Sequence, residues 1–368
     1  MSQSTYHVAV FRGDGIGPDV TDATIAVLEA VQKCVDGFRL NFNSYHAGAA
    51  YFRESGRDIE QHSEQAAEQA DAILLGAIGL PEIRHHDGTE IAPHLRLREQ
   101  LQLYAGVRPV RSYPNTPLPL ADPRASTIDL VIVRESTEGL FYSAAVHERT
   151  QVANDNEVRD TLRITRNTTE KLHDFAFQLA RKRKNSGRPG HVTCVDKANV
   201  FRSMAFFRQI FDERAEQFPD ILANHNYIDA QALDLIRKPW SFDVMVMENM
   251  YGDILSDLAG GLVGGMGMAA CAEIGDHHGL FQPAHGSAPD IMGRDAANPL
   301  ACILSGSLLL GYLAEKSGQD QLNNAAGMIE SAVYTGFSSG RLRPMEFGGD
   351  QGTRALTREV INILPTVG

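Results

Sequence analysis

Two aspartates raise the first question of chemistry. In Tyr251-Gly252-Asp253-Ile254-Leu255-Ser256-Asp257 the acids stand four residues apart. On a helix that spacing puts both carboxylates on one face, where like charges cost about a few tenths of a kcal/mol. A divalent cation reverses the sign of that interaction. Two carboxylates, with substrate oxygens and water, suit Mg2+ or Mn2+. The same acids would also be favoured near a helix N-terminus, facing its dipole.

Three arginines form a second group. Arg98 lies on an expected helix, Arg108 in a strand just before Pro109, and Arg134 at the end of the apolar run Ile128-Asp-Leu-Val-Ile-Val133. A guanidinium closing a buried strand needs an anionic partner, and its fork matches a carboxylate in two places at once. Together the three suit a substrate with two or more carboxylates; separately, each reads as a surface ion pair. Lys197 follows the strand His191–Asp196. In an α/β sheet the C-terminal strand ends face the binding crevice. A lysine beside a metal there can lose its proton readily and act as a base; otherwise it is an ordinary exposed cation. The segment Leu280–Ile291 is rich in small residues, which let backbone N–H groups approach a ligand. Gly13-Asp-Gly-Ile-Gly-Pro18 is a glycine-rich strand end but not a G-x-G-x-x-G fingerprint, which disfavours the standard dinucleotide fold.

The elements that must position these groups alternate. His7–Phe11, Ala72–Gly76, Val107–Arg111, Ile128–Arg134, His191–Asp196 and Phe242–Met247 read as strands. Val20, Ala23, Val27, Val31 and Val35 recur near helical spacing after the glycine turn. Asn167–Lys184, Phe201–Glu216, Asn298–Glu315 and Asp320–Tyr334 are further expected helices. Alternation of this kind implies an α/β protein with a largely parallel sheet. Ser112–Ser126, with four prolines, reads as an exposed loop where the chain passes from one lobe to the next. Tyr142–Arg166 reads as a projecting β-arm, and Arg181–Lys184 as the solvated, dipole-matched end of a helix.

Composition narrows the class. The 368 residues suggest two domains, and 34 basic against 46 acidic residues give a net charge of −12. That balance argues against nucleic acid or an anionic membrane as the main partner. Cys34, Cys194, Cys271 and Cys302 form no C-x-x-C pair, so neither a zinc site nor a disulfide framework is expected, and a cytoplasmic setting fits. The N-terminus lacks the plan of a signal peptide, and the longest apolar stretches are too short to span a bilayer.

Six blocks carry a resemblance. GDGIGPDV (13–20), LRLREQLQLYAGVRPVR (95–111), VIVRESTEG (131–139), CVDKANVFRSM (194–204), ENMYGDILSDLA (248–259) and HGSAPDIMGRDAANPLACILS (285–305) span nearly the whole chain. In this order and spacing they resemble the β-decarboxylating dehydrogenases, which include the isopropylmalate, isocitrate, homoisocitrate, tartrate and D-malate enzymes. The resemblance implies a two-lobed, non-Rossmann α/β fold with a β-arm at a dimer interface. One lobe would join residues 1–104 with 265–368, bind the cofactor and pack against a substrate and dimerisation lobe at 105–264. It implies that Arg98, Arg108 and Arg134 hold the carboxylates of a hydroxy-dicarboxylate substrate. Asp253 and Asp257 would bind the metal, joined by Asp229 from the partner of an obligate homodimer. Lys197, also from the partner, would be the base, aided by Asp229. His285, Gly286, Ser287, Ala288, Asp290, Ile291 and Asn298 match the family's cofactor loop. The Asp290-Ile291 pair points to NAD, because a carboxylate there accepts from both ribose hydroxyls and repels a 2′-phosphate.

The chain departs from the family pattern in places. Where the family has a tyrosine seven residues beyond the arginine of VRE, this chain has Phe141, and Tyr142 follows. Either Tyr142 reaches the site through a local irregularity and supplies the last proton, or another group does. Gln282 replaces a usual glutamate. Around the C3 substituent, Ile91 and Leu95 suit an apolar group, whereas His94 and Ser136 suit a polar one. The expected activity is NAD-dependent, metal-dependent oxidative decarboxylation of a 3-substituted malate resembling 3-isopropylmalate. A tartrate, D-malate or homoisocitrate enzyme is the alternative, and a non-catalytic regulatory homologue is the alternative of another class.

Overall fold

The computed structural model describes residues 4–144, 151–154 and 156–367. Its strands are β1 (Ser4–Gly13), β2 (Phe38–Tyr45), β3 (Ala72–Ala77), β4 (Ala105–Arg111), β5 (Asp129–Glu135), β6 (Gln151–Asn154), β7 (Glu157–Arg159), β8 (His191–Asp196), β9 (Leu222–Tyr227), β10 (Val244–Met247), β11 (Ala270–Ile274) and β12 (Gly279–Pro283). Ten of them form one sheet in the order β2-β1-β3-β12-β11-β4-β5-β10-β8-β9. The outer pairings are parallel, but β11–β12, β11–β4 and β4–β5 run antiparallel at the centre. The expected parallel sheet therefore holds on both flanks and breaks in the middle.

The expected helices form at nearly the expected places. They run Gly17–Cys34, Arg166–Asn185, Arg202–Ala215, Leu300–Ser317 and Asp320–Ser338. On the first, Val20, Ala23, Val27 and Val31 are buried, so the 3.6-residue spacing became the face that packs on the sheet. Burial of such side chains stabilises by about 1.5–3 kcal/mol each. Lys182, Arg183 and Lys184 occupy the last turn of Arg166–Asn185, as the dipole favours.

Two expectations change. Residues 112–126 link β4 to β5, which pair with each other, so the proline-rich loop turns the chain back within the sheet and does not carry it between lobes. Residues 141–144 form a short helix where the arm was expected to begin. The arm itself survives as β6 and β7, a separate antiparallel pair, with an isolated bridge between Gly139 and Arg163 at its base. Residues 145–150 of the arm lie outside the described residues.

Candidate active site

The antiparallel centre of the sheet gathers the arginines. Gly106 of β4 pairs with both Arg134 of β5 and Glu273 of β11. Residues directly opposite on neighbouring strands share a face, and Arg108, two residues on from Gly106, shares it too. Arg134 is 2% exposed and Arg108 5%. Arg98 joins them from the helix Pro93–Gln100, its Nη2 2.9 Å from the fully buried Glu273 Oε1. Burial alone would raise the Glu273 pKa, but Arg98, Arg108 and Arg134 overcome it and hold the carboxyl below its usual range.

The helix Asn249–Leu262 brings the acids to this cluster. Glu248 caps it, accepting from the Met250 and Tyr251 amides at 3.1 and 3.3 Å. Gly252 lets it lie close to β5: a Cβ there would stand 2.6 Å from both Cβ and Cγ of Arg134. Asp253 then accepts from Arg134 Nη1 and, at 3.4 Å, from Arg108 Nη2. Asp257 stands 3.6 Å from Arg108 Nη1, which also donates to Ser256 Oγ at 2.5 Å. Burial raises the Asp257 pKa, with Arg108 opposing and Asp253 reinforcing the shift. Burial, and then Arg108, pull Arg134 down to about 10. The Arg134 guanidinium carbon also lies 4.9 Å from the centre of the Phe141 ring.

The arginines and both acids line one large cleft. Of the expected cofactor loop, His285 and Gly286 line the same cleft, with Gln282 just before them. Gly15 fixes that loop: its φ is +57°, and a Cβ would fall 2.0 Å from the Ser287 carbonyl oxygen. The Ser287 carbonyl accepts from the Ile16 amide at 2.8 Å, and its hydroxyl donates to Gly79 O. Asp14 binds the same corner together, accepting from the amides of Ala49, Ala50 and Gly79, each at 2.8 Å. His285 is half-buried, its pKa lowered by the desolvation of its ring, and its buried Nε2 has no hydrogen-bond partner among the described residues. Ala288 takes a positive φ of 36°, leading into the turn Pro289–Ile291, where Asp290 is exposed and Ile291 half-buried. Asn298 differs: its Nδ2 donates to Glu346 at 2.8 Å and its Oδ1 accepts from the Leu300 amide at 3.1 Å, so its amide is committed to the fold.

Lys197 and Asp229 meet each other instead. Lys197 Nζ donates to Asp229 Oδ1 at 2.5 Å, and this bond is the main cause of the lowered Asp229 pKa. Neither lines the cleft holding Asp253 and Asp257. Among the described residues, no three His, Cys, Asp or Glu side chains converge as a metal site within the chain. Tyr142 does not line the cleft either; the Arg163 guanidinium carbon lies 4.0 Å from its ring centre, and Phe141 takes the cleft position. Ile91 is buried in a small cluster with Ala49 and Leu80, and Ser136 is also buried, so of the four residues expected around C3 only His94 and Leu95 face the cleft.

Three residues escaped sequence reasoning. Glu273 is an acid inside Ala270-Cys-Ala-Glu-Ile274, and the rule applied to Arg134, that a charge in a buried strand needs a partner, would have found it. Asn249 and Ser256 flank the acids on the same helix but are neutral, so no charge argument marked them.

Comparison with known proteins places this α/β sheet and its cleft in the decarboxylating-dehydrogenase class of oxidoreductases. The isocitrate/isopropylmalate dehydrogenase family model matches residues 7–364. The 3-isopropylmalate/3-methylmalate dehydrogenase of Methanocaldococcus jannaschii is 40% identical, covering 96% of this chain and 98% of that one. The crystal structure of isocitrate dehydrogenase from Methylococcus capsulatus aligns with a TM-score of 0.84 at 31% identity, covering 98% and 99% of the two chains. That of a β-decarboxylating dehydrogenase from Thermococcus kodakarensis gives 0.77 at 35%, covering 98% and 96%. The chain belongs to the isocitrate/isopropylmalate dehydrogenase family. No helix among the described residues is long and apolar enough to cross a membrane.

Proposed function

We propose that this enzyme oxidises and decarboxylates a 3-substituted malate with NAD and Mg2+ or Mn2+, in a homodimer with shared active sites. The observation that carries the reading is the convergence of Arg98, Arg108 and Arg134 with Asp253 and Asp257 in one cleft that His285 and Gly286 also line. Three buried guanidinium groups around two part-exposed carboxylates suit a dianion bound beside a cation.

The residues fit both a divalent ion and a dinucleotide. Asp253 and Asp257 present oxygen donors from one helix face, the chemistry a hard divalent ion takes. The unpartnered Nε2 of His285 and the open space at Gly286 suit a cofactor laid along the loop. A divalent ion held by Asp253 and Asp257 would supply polarisation of the C2 hydroxyl, and a nicotinamide held along the His285 loop would supply the hydride acceptor. The arginines hold the two carboxylates and orient C2 toward the loop. Lys197, whose charge is matched by Asp229, takes the hydroxyl proton.

Those two residues must come from a second chain, and the surface supports that. Asp229, Leu233 and Ile236 recur at helical spacing on Ile228–Arg237, with Leu233 55% and Ile236 45% exposed. Ile254, 59% exposed, lies beside Asp253 on the neighbouring helix. An apolar face of this kind beside both half-sites suits a two-fold dimer. The lobe division proposed here, 1–104 with 265–368 against 105–264, cuts the one continuous sheet at the β11–β4 pairing, with β2-β1-β3-β12-β11 on one side and β4-β5-β10-β8-β9 on the other. The free thiols of all four cysteines accord with a cytoplasmic site of action.

The test is NADH and CO2 formation from 3-isopropylmalate, D-malate, tartrate and homoisocitrate, with NAD+ or NADP+ and with Mn2+ or chelator. Metal-dependent turnover of at least one malate with NAD+ is expected. Turnover that survives chelation, or none on any substrate, overturns the reading.

A further inference from the structure

The arginine cluster holds one acid that solvent does not reach. Glu273 is 0% exposed and does not line the cleft, whereas the side chains of Asp253 and Asp257 are 42% and 59% exposed and do. Its Oε1 lies 2.9 Å from Arg98 Nη2. The Cys271 thiol, two residues back on the same strand face, donates to the same oxygen at 3.5 Å. The sheet leaves room for this carboxylate at Gly106. That residue pairs with Glu273 on one side and Arg134 on the other, and a Cβ there would stand 2.9 Å from Glu273 Oε2. A carboxylate buried in this way is costly unless cations surround it. Arg98, Arg108 and Arg134 do so and keep it ionised.

Each arginine has an internal counter-ion, but the three are not alike. Arg108 and Arg134 pair with Asp253, and Arg108 also with Asp257. A divalent ion on those exposed acids would draw their charge away and leave both arginines for the substrate. Glu273, closed off from the cleft, stays with Arg98 whatever enters. Among the described residues it is the one ion-pair partner of Arg98, whose buried Nε has no hydrogen-bond partner there. A guanidinium on its long stem has much rotamer freedom to lose. A fixed anion at one end of the fork removes that freedom in advance. The same anion repels any carboxylate that the fork then binds.

We propose that Glu273 is a positioning residue: it sets the Arg98 guanidinium before substrate arrives, and its charge gives up part of the substrate affinity in return. This rests on the site reading above and deepens it. Orientation shows in kcat, because a misplaced substrate reacts slowly. The opposing charge shows in KM.

Two variants separate these effects. Glu273→Gln keeps the length and an oxygen beside Arg98 but removes the charge. Glu273→Asp keeps the charge but withdraws it from the fork. KM and kcat are measured for D-malate and 3-isopropylmalate with NAD+ and Mn2+. Glu273→Gln should lower KM about tenfold and leave kcat within about threefold of the wild type. Glu273→Asp should lower kcat about tenfold and not lower KM. Binding is also read without turnover, from the rise in melting temperature that D-malate and Mn2+ cause in the absence of NAD+. That rise should be about two degrees larger for Glu273→Gln than for the wild type. A rise no larger than the wild type's, or two variants that shift KM and kcat alike, overturns the proposal and leaves Glu273 a packing residue. Wild-type turnover with either of those results removes this inference alone. No turnover of either malate by the wild type removes the reading beneath it.

Discussion

Asn249 Oδ1 accepts two hydrogen bonds from the Arg134 guanidinium, from Nε at 2.9 Å and from Nη2 at 2.6 Å. Its Nδ2 donates to the Glu138 carbonyl at 3.1 Å and to Glu135 Oε2 at 3.4 Å. The amide thus fixes which way the guanidinium fork points, leaving Nη1 for Asp253. Asn249→Ala should leave Arg134 free to turn. We expect KM for the substrate to rise about 30-fold, the worth of a charge-assisted hydrogen bond or two. Asn249→Asp keeps the acceptor and should lose less. Equal KM values for all three forms would show that Arg134 holds its orientation without this residue.

Glu135 follows Arg134 and is 1% exposed. It accepts from the Thr137 amide, the Thr137 hydroxyl and the Glu138 amide, all at 2.7 Å, yet burial outweighs these bonds and raises its pKa to about 7. The folded-state pKa lies above the unfolded value of 4.5. Between those values the folded chain binds the proton more tightly, so stability falls as pH rises through that window, by about 3 kcal/mol at most. Glu135→Gln cannot titrate. Melting temperatures measured from pH 5 to pH 8 should show the wild type losing ground to this variant as pH rises. A difference between them that stays constant with pH would rule out the linkage.

How much of this was visible beforehand follows from how charge and periodicity show themselves. The helices were legible because Val20, Val27 and Val31 repeat at the period of the face they bury. Arg134 was legible because a cation at the end of an apolar strand contradicts its surroundings. β9 was not, since Leu222–Tyr227 is a polar edge strand, exposed along most of its length. Nor were β11 and β12, five-residue runs whose antiparallel insertion depends on partners far away in sequence. A strand would turn Phe141 and Tyr142 to opposite faces, but residues 141–144 are helical. In a helix the two side chains stand about 100° apart, so one faces the cleft and the other packs against Arg163.

Cofactor choice can be tested at one exposed position. Asp290 sits on the turn that follows His285, Gly286 and Ser287, with its carboxylate in solvent. An anion there favours ribose hydroxyls and disfavours a 2′-phosphate. Asp290→Lys should shift the ratio of kcat/KM for NAD+ over NADP+ toward NADP+ by about 100-fold. The effect should shrink as ionic strength rises, because an exposed charge is screened. An unchanged ratio would place the ribose elsewhere.

The separation of Lys197 and Asp229 from Asp253 and Asp257 gives the sharpest test of shared sites. Lys197→Met removes the proposed base, and Asp253→Asn removes a proposed metal ligand, so each variant alone should be inactive. If each site takes Asp253 from one chain and Lys197 from the other, a mixed dimer holds one site with both residues intact and one with neither. Co-expression with random pairing makes half the dimers mixed. Activity should therefore return to about a quarter of the wild-type value, half of the dimers each contributing one working site of two. If Lys197 and Asp253 served the same site from within a single chain, no pairing could reunite them, and the mixture would stay as inactive as either parent.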